Sequence, residues 1–266
     1  MAIKLVAVDM DDTLLDGTLQ VSPRTCEAIY KAQEQGVVVT IATGRMFSSA
    51  LPFAQQLHIQ APLITYNGGM IRYPISKEMV FHKTINGDVA GKIVELFHQR
   101  GWYLQSYMDD ELYVVERCEK ARLYEKMANI KAIALGDQFY SMRHEPTKML
   151  TIAEPYEIQE IQDIVNRDFP GQIFAATSKS NYLELTHPSV NKGHALAVLA
   201  DKLNIKQEEV MAIGDSNNDY PMLEYAGFGV AMGNASERVK NIAQAVTAHN
   251  NAHGVAEAIE KYILKG

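Results

Sequence analysis

The feature of this chain that most restricts its fold is a short apolar run that stops abruptly at acidic residues. Residues 3–8, IKLVAV, are rich in β-branched side chains, and Asp9, Asp11 and Asp12 follow at once. An unbroken apolar run of this length is typical of a strand buried on both faces of a parallel sheet. The acidic residues are then expected just beyond the carboxyl end of that strand.

Apolar runs and helical segments continue to alternate along the chain. Ser22 and Pro23 are suited to be the N-cap and the first residue of a helix, and VVVTIAT at 37–43 follows as a second strand. Another helical stretch leads to a third run, PLITY at 62–66. This order predicts a parallel sheet, so the expected fold class is α/β with a Rossmann-like core.

A different pattern begins after about residue 83. Asn86 can cap a helix, and the runs WYLQSYM and ELYVV then flank Asp109 and Asp110. Two strand-forming runs separated by a short polar pair are typical of an antiparallel hairpin. Further helices and strands follow to about residue 187, so this region is expected to be an α+β unit.

The parallel pattern returns from Asn191, where a helix leads to the strand VMAIG at 210–214. The strand FGVAM and further helices follow it. Both ends of the chain therefore belong to one core that carries an insertion. The predicted domains are an α/β core, residues 1–83 and 188–266, and an inserted α+β cap, residues 84–187.

Composition narrows the class of protein. Of 266 residues, 47% are hydrophobic and 21% are charged, which suits a folded chain with a sizeable core. The net charge is −7 and the 25 basic residues are dispersed, so neither a nucleic acid nor a membrane surface is an expected partner. No apolar run approaches the roughly 18 residues of a membrane span, and the first run stops too early for a signal peptide. A cytoplasmic location is therefore expected. Because the chain has only two cysteines, a disulfide scaffold is excluded.

Four polar clusters occur where open parallel sheets bind ligands, at strand ends or at the start of a helix. They are Asp9–Thr13 after the first strand, Thr43–Arg45 after the second, Lys192 at a helix start, and Gly214–Asp219 after VMAIG. Each alone is weak evidence, because such residues are commonly turns, caps or surface positions. Their combination is typical of phosphoryl chemistry.

The acidic residues imply a cation. Residues two apart in an extended segment point the same way, so Asp9 and Asp11 are expected to face one site. Together with Asp215 and Asp219 they would repel one another unless a hard cation lay among them. Magnesium prefers oxygen ligands of this kind together with a phosphate, so Mg²⁺ is the predicted cofactor.

Groups that could bind and attack a phosphate are present as well. Thr43 and the adjacent amides supply neutral donors, and Lys192 supplies a positive charge at a helix N-terminus. A carboxylate near a metal-bound phosphate can attack phosphorus and form an aspartyl phosphate. Asp9 suits this role because it is nearest the rigid strand end. Asp11, further into the loop, suits proton transfer to the leaving oxygen and from water.

The ordered motifs resemble those of a known family. They are DMDDTL at 9–14, ATGR at 42–45, NKG at 191–193 and GDSNND at 214–219, with the insertion between the second and the third. In this order they resemble the haloacid dehalogenase-like hydrolases, and more specifically the Cof-type sugar-phosphate phosphatases of subfamily IIB. The resemblance covers essentially the whole chain.

The resemblance implies a role for each matched residue. Asp9 would be the nucleophile and a magnesium ligand, and Asp11 the general acid/base that also binds magnesium through its backbone carbonyl. Asp215 would be a further magnesium ligand, and Asp219 would support the metal or Lys192. The implied phosphate-binding residues are Met10 and Gly44 through their backbone amides, Thr43, Lys192 and Asn218, and the candidate substrate contacts are Arg45, Asn67 and Gly68.

One residue departs from the family pattern, since many members have Gly where this chain has Asp12. A side chain there narrows the φ range of the loop, which affects its local geometry more than its chemistry.

The predicted function is magnesium-dependent hydrolysis of small phosphate monoesters by a monomer or small homo-oligomer. A phosphomutase, which returns the phosphoryl group to a sugar phosphate, is an alternative with the same chemistry. A receiver-type signalling domain is another, although such domains are about half this length and lack the insertion. A dehalogenase is disfavoured, because Asp11 and the magnesium-binding acids would have no task in it.

Overall fold

The computed structural model describes residues 2–141 and 144–264, and the chain forms two compact units. Unit 1 extends to Phe81 and resumes at Asn191, and unit 2 is His82–Val190. The predicted domain limits lie two and three residues from these boundaries. That the units act as a catalytic core and a cap stays a prediction.

The helices and strands of the described residues are numbered in chain order. The strands are β1 (Leu5–Val8), β2 (Val38–Ile41), β3 (Leu63–Thr65), β4 (Met70–Arg72), β5 (Met79–His82), β6 (Gln105–Met108), β7 (Glu111–Val114), β8 (Ala132–Ala134), β9 (Lys148–Ile152), β10 (Phe174–Lys179), β11 (Tyr182–Thr186), β12 (Val210–Gly214), β13 (Phe228–Ala231) and β14 (Ala245–Val246). The helices are α1 (Pro23–Glu34), α2 (Phe47–Gln56), α3 (Gly87–Arg100), α4 (Glu119–Ala128), α5 (Gln138–Ser141), α6 (Pro155–Asp168), α7 (Lys192–Lys202), α8 (Tyr220–Tyr225), α9 (Glu237–Lys240) and α10 (Gly254–Ile259).

Unit 1 is built on a parallel sheet with the strand order β14-β13-β12-β1-β2. Every residue of β1 and β12 is buried, which is why their sequences are unbroken apolar runs. Leu196 and Leu199 of α7 belong to the same buried cluster as Leu5 of β1 and Met222 of α8. The predicted α/β class with a parallel core sheet is confirmed.

The third predicted strand behaves differently from the prediction. β3 meets β2 through a single parallel bridge, Ala42 to Ile64, and pairs antiparallel with β4. The chain reverses directly after β3 because Tyr66, Asn67 and Gly68 all have left-handed φ angles, 54°, 57° and 101°. The PLITY strand therefore opens a small antiparallel sheet, β3-β4-β5, instead of extending the parallel one.

Unit 2 contains a mainly antiparallel sheet with the strand order β10-β11-β9-β6-β7-β8. The predicted hairpin is present as β6 and β7, and Asp109 and Asp110 form its turn with φ angles of 50° and 62°. Asn86 caps α3 by accepting a hydrogen bond from the N–H of Asp88 (3.0 Å). Ile93 of α3 and Ile161 of α6 belong to the buried cluster of this unit.

Within the described ranges, no helix combines the length and the apolar character that crossing a membrane requires. Cys26 and Cys118 are both free thiols.

Candidate active site

Asp9 stands at the carboxyl end of β1, where its backbone N–H donates to the carbonyl of Ile213 in β12 (2.9 Å). Its side chain is buried. A tight turn, Met10–Leu14, follows. Asp11 within it is still extended, with φ −76° and ψ 131°, and the chain turns at Asp12, whose φ is 57°. The sheet therefore fixes Asp9, while the residues after it form a tightly curled loop.

The carboxylate of Asp11 is bound by Arg45. The Nε of Arg45 donates to Oδ2 of Asp11 over 2.9 Å, and a terminal nitrogen donates to Oδ1 over 2.5 Å. Asp9 and Asp11 both have extended φ and ψ angles, −65° and 161° for Asp9 and −76° and 131° for Asp11. That the two side chains face one site stays a prediction. The structure places Asp11 beside Arg45, with half of its side chain exposed.

Lys192, the first residue of α7, joins two acidic side chains. Its Nζ lies 2.5 Å from Oδ1 of Asp9 and 2.5 Å from Oδ1 of Asp219, and the lysine is fully buried. Burial alone would lower the pKa of Lys192, but the two carboxylates outweigh it and raise that pKa. Lys192 is therefore a fixed positive charge in contact with Asp9.

The second carboxylate oxygen of Asp219 is bound by backbone N–H groups. Oδ2 accepts hydrogen bonds from the backbone N–H groups of Asp215 and Ser216, each over 3.0 Å. The side chain of Asp219 lies so close to Gly214 that a Cβ at Gly214 would be 2.7 Å from Cγ of Asp219. Gly214 is thus required by the position of Asp219, which in turn fixes Lys192.

Asp9, Asp215 and Asp219 form an acidic cluster whose carboxylate oxygens lie within 4.8 Å of one another. Burial, together with the charges of Asp219 and Asp215, raises the pKa of Asp9 well above its ordinary value. Burial and the charge of Asp219 likewise raise the pKa of Asp215 to about 7, although Thr13 donates to its Oδ1 over 2.9 Å. A hard divalent cation would relieve this repulsion, and the oxygen donors suit one.

Thr43 follows the end of β2, and the turn after β3 holds it in place. Its N–H donates to the carbonyl of Ile64, and its carbonyl accepts from the N–H of Asn67, both over 2.9 Å. The hydroxyl of Thr43 accepts from the N–H of Arg45 over 3.1 Å. The reversal at Tyr66, whose N–H donates to the carbonyl of Arg45 (2.9 Å), therefore shapes the whole Thr43–Arg45 loop.

Asn67 also links this loop to the one after β12. Its Oδ1 accepts from Nδ2 of Asn218 over 3.1 Å. The same oxygen would lie 2.9 Å from a Cβ at Gly44, so a side chain there would displace the amide of Asn67. Gly68 is confined by Asn191, the N-cap residue of α7, since a Cβ at Gly68 would lie 2.4 Å from the carbonyl oxygen of Asn191. Asn67 and Gly68 thus shape the site from the turn after β3.

The structure therefore gathers the predicted residues of unit 1 into two neighbouring groups. One contains the buried charges Asp9, Lys192, Asp215 and Asp219, and the other contains Thr43, Gly44, Arg45, Asn67, Gly68 and Asn218. Asp11 joins the second group through Arg45. The side chain of Met10 is buried in the core, so only its backbone is available to a ligand.

Two further residues contribute to the site: Thr13, which the sequence analysis placed in the first polar cluster without a role, and Asn234, which it missed. Thr13 binds Asp215, as described, and Asn234 donates from Nδ2 to the carbonyl of Asp12 over 2.8 Å. Asp12 occupies the left-handed region that glycine favours, and Asp is one of the residues that tolerate it. Asn234 follows β13, so the rule that ligand-binding residues follow parallel strands would have found it.

Comparison with known proteins gives consistent matches. A family model described as haloacid dehalogenase-like hydrolase matches residues 6–259. A protein of Bacillus subtilis named as a phosphatase, YwpJ, is 30% identical, and the alignment covers 98% of this chain and 100% of that protein.

Solved structures match over the same length. A haloacid dehalogenase-like hydrolase from Bacteroides thetaiotaomicron has a TM-score of 0.91 and 29% identity, covering 97% of this chain and 99% of that one. The fold is also shared with a subclass IIB sugar phosphatase, with a TM-score of 0.83, 23% identity and coverage of 97% and 98%.

Proposed function

Because the chain belongs to the haloacid dehalogenase-like hydrolase family, we propose that it is a magnesium-dependent phosphatase acting on small phosphate monoesters, with sugar phosphates as the favoured class. The observation that carries this proposal is the pair of contacts from the buried Lys192 to Asp9 and Asp219. A buried carboxylate is a nucleophile only when ionised, and Lys192 favours the ionised form of Asp9 against burial and the neighbouring carboxylates, which raise its pKa. The full-length similarity to the phosphatase of Bacillus subtilis supports the reaction type.

In the proposed reaction, a carboxylate oxygen of Asp9 attacks phosphorus and the bond from phosphorus to the ester oxygen breaks. The leaving oxygen takes a proton from Asp11, which must release one oxygen from Arg45 in order to carry that proton. Water then attacks the aspartyl phosphate and gives a proton to Asp11. The bond between phosphorus and Asp9 breaks, and inorganic phosphate and free Asp9 are formed.

The donor set fits a magnesium ion. The carboxylates of Asp9 and Asp215, with the backbone carbonyl of Asp11, would hold it. Asp219 has both oxygens bound by Lys192 and by backbone N–H groups, so its role is to support them. When bound, the ion neutralises negative charge on the phosphate oxygens and on the acidic cluster.

The second group of residues is proposed to hold the phosphate and the substrate. Thr43 and Asn218 would donate from their side chains, and Met10 and Gly44 from their backbone N–H groups. Lys192 would add its positive charge. Arg45, Asn67 and Gly68 border the same loops and are the proposed substrate contacts.

We further propose that unit 2 is a cap that selects substrates, since the motif residues all lie in unit 1. A small phosphate ester is the proposed partner, without nucleic acid or membrane, because the net charge is −7. The two free thiols support a cytoplasmic location.

A panel of phosphate monoesters, including aryl, sugar and nucleotide phosphates, tests the proposal with the purified full chain. We expect continuous release of inorganic phosphate with Mg²⁺, none in excess chelator, and none from Asp9→Asn. The surface variant Asp16→Asn, which alters a carboxylate in an exposed turn, serves as the control.

Three results would contradict the proposal. Undiminished hydrolysis in chelator would exclude the metal, and full activity of Asp9→Asn would exclude the nucleophile. Isomerisation of a sugar phosphate without phosphate release would identify a phosphomutase instead.

A further inference from the structure

Asn234, in the turn after β13, joins two loops through its carboxamide. Its Oδ1 accepts from the backbone N–H of Asn250 over 3.0 Å, and its Nδ2 donates to the carbonyl of Asp12 over 2.8 Å. A backbone N–H only donates and a carbonyl only accepts, so the two contacts together determine which end of the amide faces which loop. Asn234 therefore links the two loops with its amide group in one defined orientation.

The loop that contains Asn250 is held in place by further contacts. Asn250 is buried and its Nδ2 donates to the carbonyl of Leu15 over 2.9 Å. Next to Asn234, the N–H of Gly233 donates to the carbonyl of Ala248 over 3.0 Å, and a Cβ at Gly233 would lie 2.9 Å from the N of His249. Asn234 therefore lies in a closely packed part of the structure.

The other contact of Asn234 is to the backbone carbonyl of Asp12, a residue in a left-handed conformation. Asp12 has a φ of 57°, a conformation that Asp tolerates better than most residues but still at a cost, so contacts with its neighbours help to maintain it. The carbonyl that Asn234 binds belongs to the peptide between Asp12 and Thr13. The hydroxyl of Thr13 donates to Oδ1 of Asp215 over 2.9 Å. Holding this peptide in place also holds Thr13 against Asp215.

We infer that Asn234 is a positioning residue for the reaction. It acts through the Asp12–Thr13 peptide, keeping Thr13 on Asp215 and keeping the loop that carries Asp11 in shape. The effect on catalysis rests on the proposed function, whereas the effect on the loop does not.

The test uses two variants that add the same charge. Asn234→Asp keeps the acceptor for Asn250 but replaces the donor to Asp12 with an oxygen, which the carbonyl repels. Asn251→Asp is the matched control, because Oδ1 of Asn251 accepts from the N–H of Gly17 (2.8 Å) and a carboxylate preserves that bond. A neutral variant, Asn234→Ala, removes both hydrogen bonds without adding a charge.

We expect Asn234→Asp to lower kcat for p-nitrophenyl phosphate about 10-fold to 100-fold, with KM changed less than about 2-fold, as a misplaced catalytic group would. Asn251→Asp should stay within about 2-fold of wild type in both. The rise in Tm on adding Mg²⁺ should be smaller in Asn234→Asp than in the control. In the metal-free protein, amides of residues 10–15 should exchange hydrogen faster in Asn234→Asp and Asn234→Ala than in Asn251→Asp.

Equal exchange over residues 10–15 in Asn234→Asp and its control would overturn the inference. So would a lower Tm with kcat per folded molecule unchanged, because that is the result of a merely structural contact. If wild type shows no Mg²⁺-dependent hydrolysis, the proposed function fails, and the exchange comparison alone decides whether Asn234 holds the loop.

Discussion

Arg45 and Asp11 form a bidentate ion pair in which both carboxylate oxygens are bound by one guanidinium, over 2.9 and 2.5 Å. Only arginine offers this planar fork, because the ammonium of lysine acts as a point charge. Half of the Asp11 side chain is exposed, so solvent screens the pair and its contribution to stability is small. What the pair determines is the direction in which the Asp11 carboxyl points.

Arg45→Lys should therefore affect activity more than stability. We expect kcat to fall about 10-fold, since the carboxyl of Asp11 loses its fixed orientation, while the free energy of unfolding changes by less than about 1 kcal/mol. Steady-state kinetics and urea unfolding measure the two effects. Arg24→Lys is the control, because Arg24 makes the same fork with Glu260 on the surface (3.0 and 2.6 Å). Equal kinetic effects of the two variants would show that the Arg45 pair has no catalytic role.

Asp11→Asn tests proton transfer, since it preserves size and backbone but cannot exchange protons. General acid/base assistance is worth about 10² to 10⁴ in rate, so kcat should fall by that factor with little change in KM. The loss should be smaller for aryl phosphates, whose leaving group needs little protonation, than for sugar phosphates. Rapid-quench measurement of the aspartyl phosphate should show slower formation and slower breakdown. An equal loss on both substrate classes would mean that Asp11 only shapes the site.

The sequence allowed the motif positions to be predicted because the strands before them are unbroken apolar runs. Asp9, Thr43 and Asp215 follow β1, β2 and β12, and the ends of parallel strands in one sheet meet at one edge. The family resemblance is confirmed by the match over residues 6–259.

The orientation of Asp11 could not be predicted in the same way. It depends on the left-handed turn at Asp12 and on Arg45, which is 34 positions away from Asp11 in the sequence. The antiparallel course of β3 likewise depends on consecutive left-handed residues, including Tyr66, which is a bulky residue with a strong preference against that conformation. β8 and β14 are too short, at 3 and 2 residues, for a periodic pattern to reveal them.

The raised pKa of Asp215 predicts how stability depends on pH in the metal-free protein. Its pKa is about 7 in the folded protein and 3.8 in an ordinary aspartate. A carboxyl with a raised pKa stabilises the fold while protonated, so this contribution is full below about pH 4 and is lost as the pH rises through about 7. The loss is at most about 4 kcal/mol and is reduced by solvent access.

Urea unfolding in chelator at pH 5 and pH 8 measures this effect. Wild type should lose more stability over that interval than Asp215→Asn, which cannot ionise there. The pH dependence of the free energy of unfolding that remains in Asp215→Asn should come largely from Asp9, whose pKa is also raised. Adding Mg²⁺ at pH 8 should stabilise wild type more than the variant. If wild type and Asp215→Asn lose the same free energy of unfolding between pH 5 and pH 8, the pKa of Asp215 is not raised.

Gly214→Ala tests whether the position of Asp219 controls Lys192. The new Cβ would lie 2.6 Å from Cβ and 2.7 Å from Cγ of Asp219, so the aspartate must move. That movement would break its contacts with the N–H groups of Asp215 and Ser216 and with Lys192. We expect a loss of about 1 to 3 kcal/mol in stability from overpacking and a fall in kcat of about 10²-fold.

Gly17→Ala is the control for this substitution, since the nearest atom to its Cβ would be Oδ1 of Asn251 at 3.4 Å, an ordinary contact. It should keep both stability and kcat close to wild type. The decisive comparison is kcat per folded molecule, with the folded fraction measured by circular dichroism at the assay temperature. If Gly214→Ala is destabilised but its folded molecules turn over at the wild-type rate, Asp9 does not need Lys192 to be held by Asp219, and the buried bridge would be a feature of folding alone.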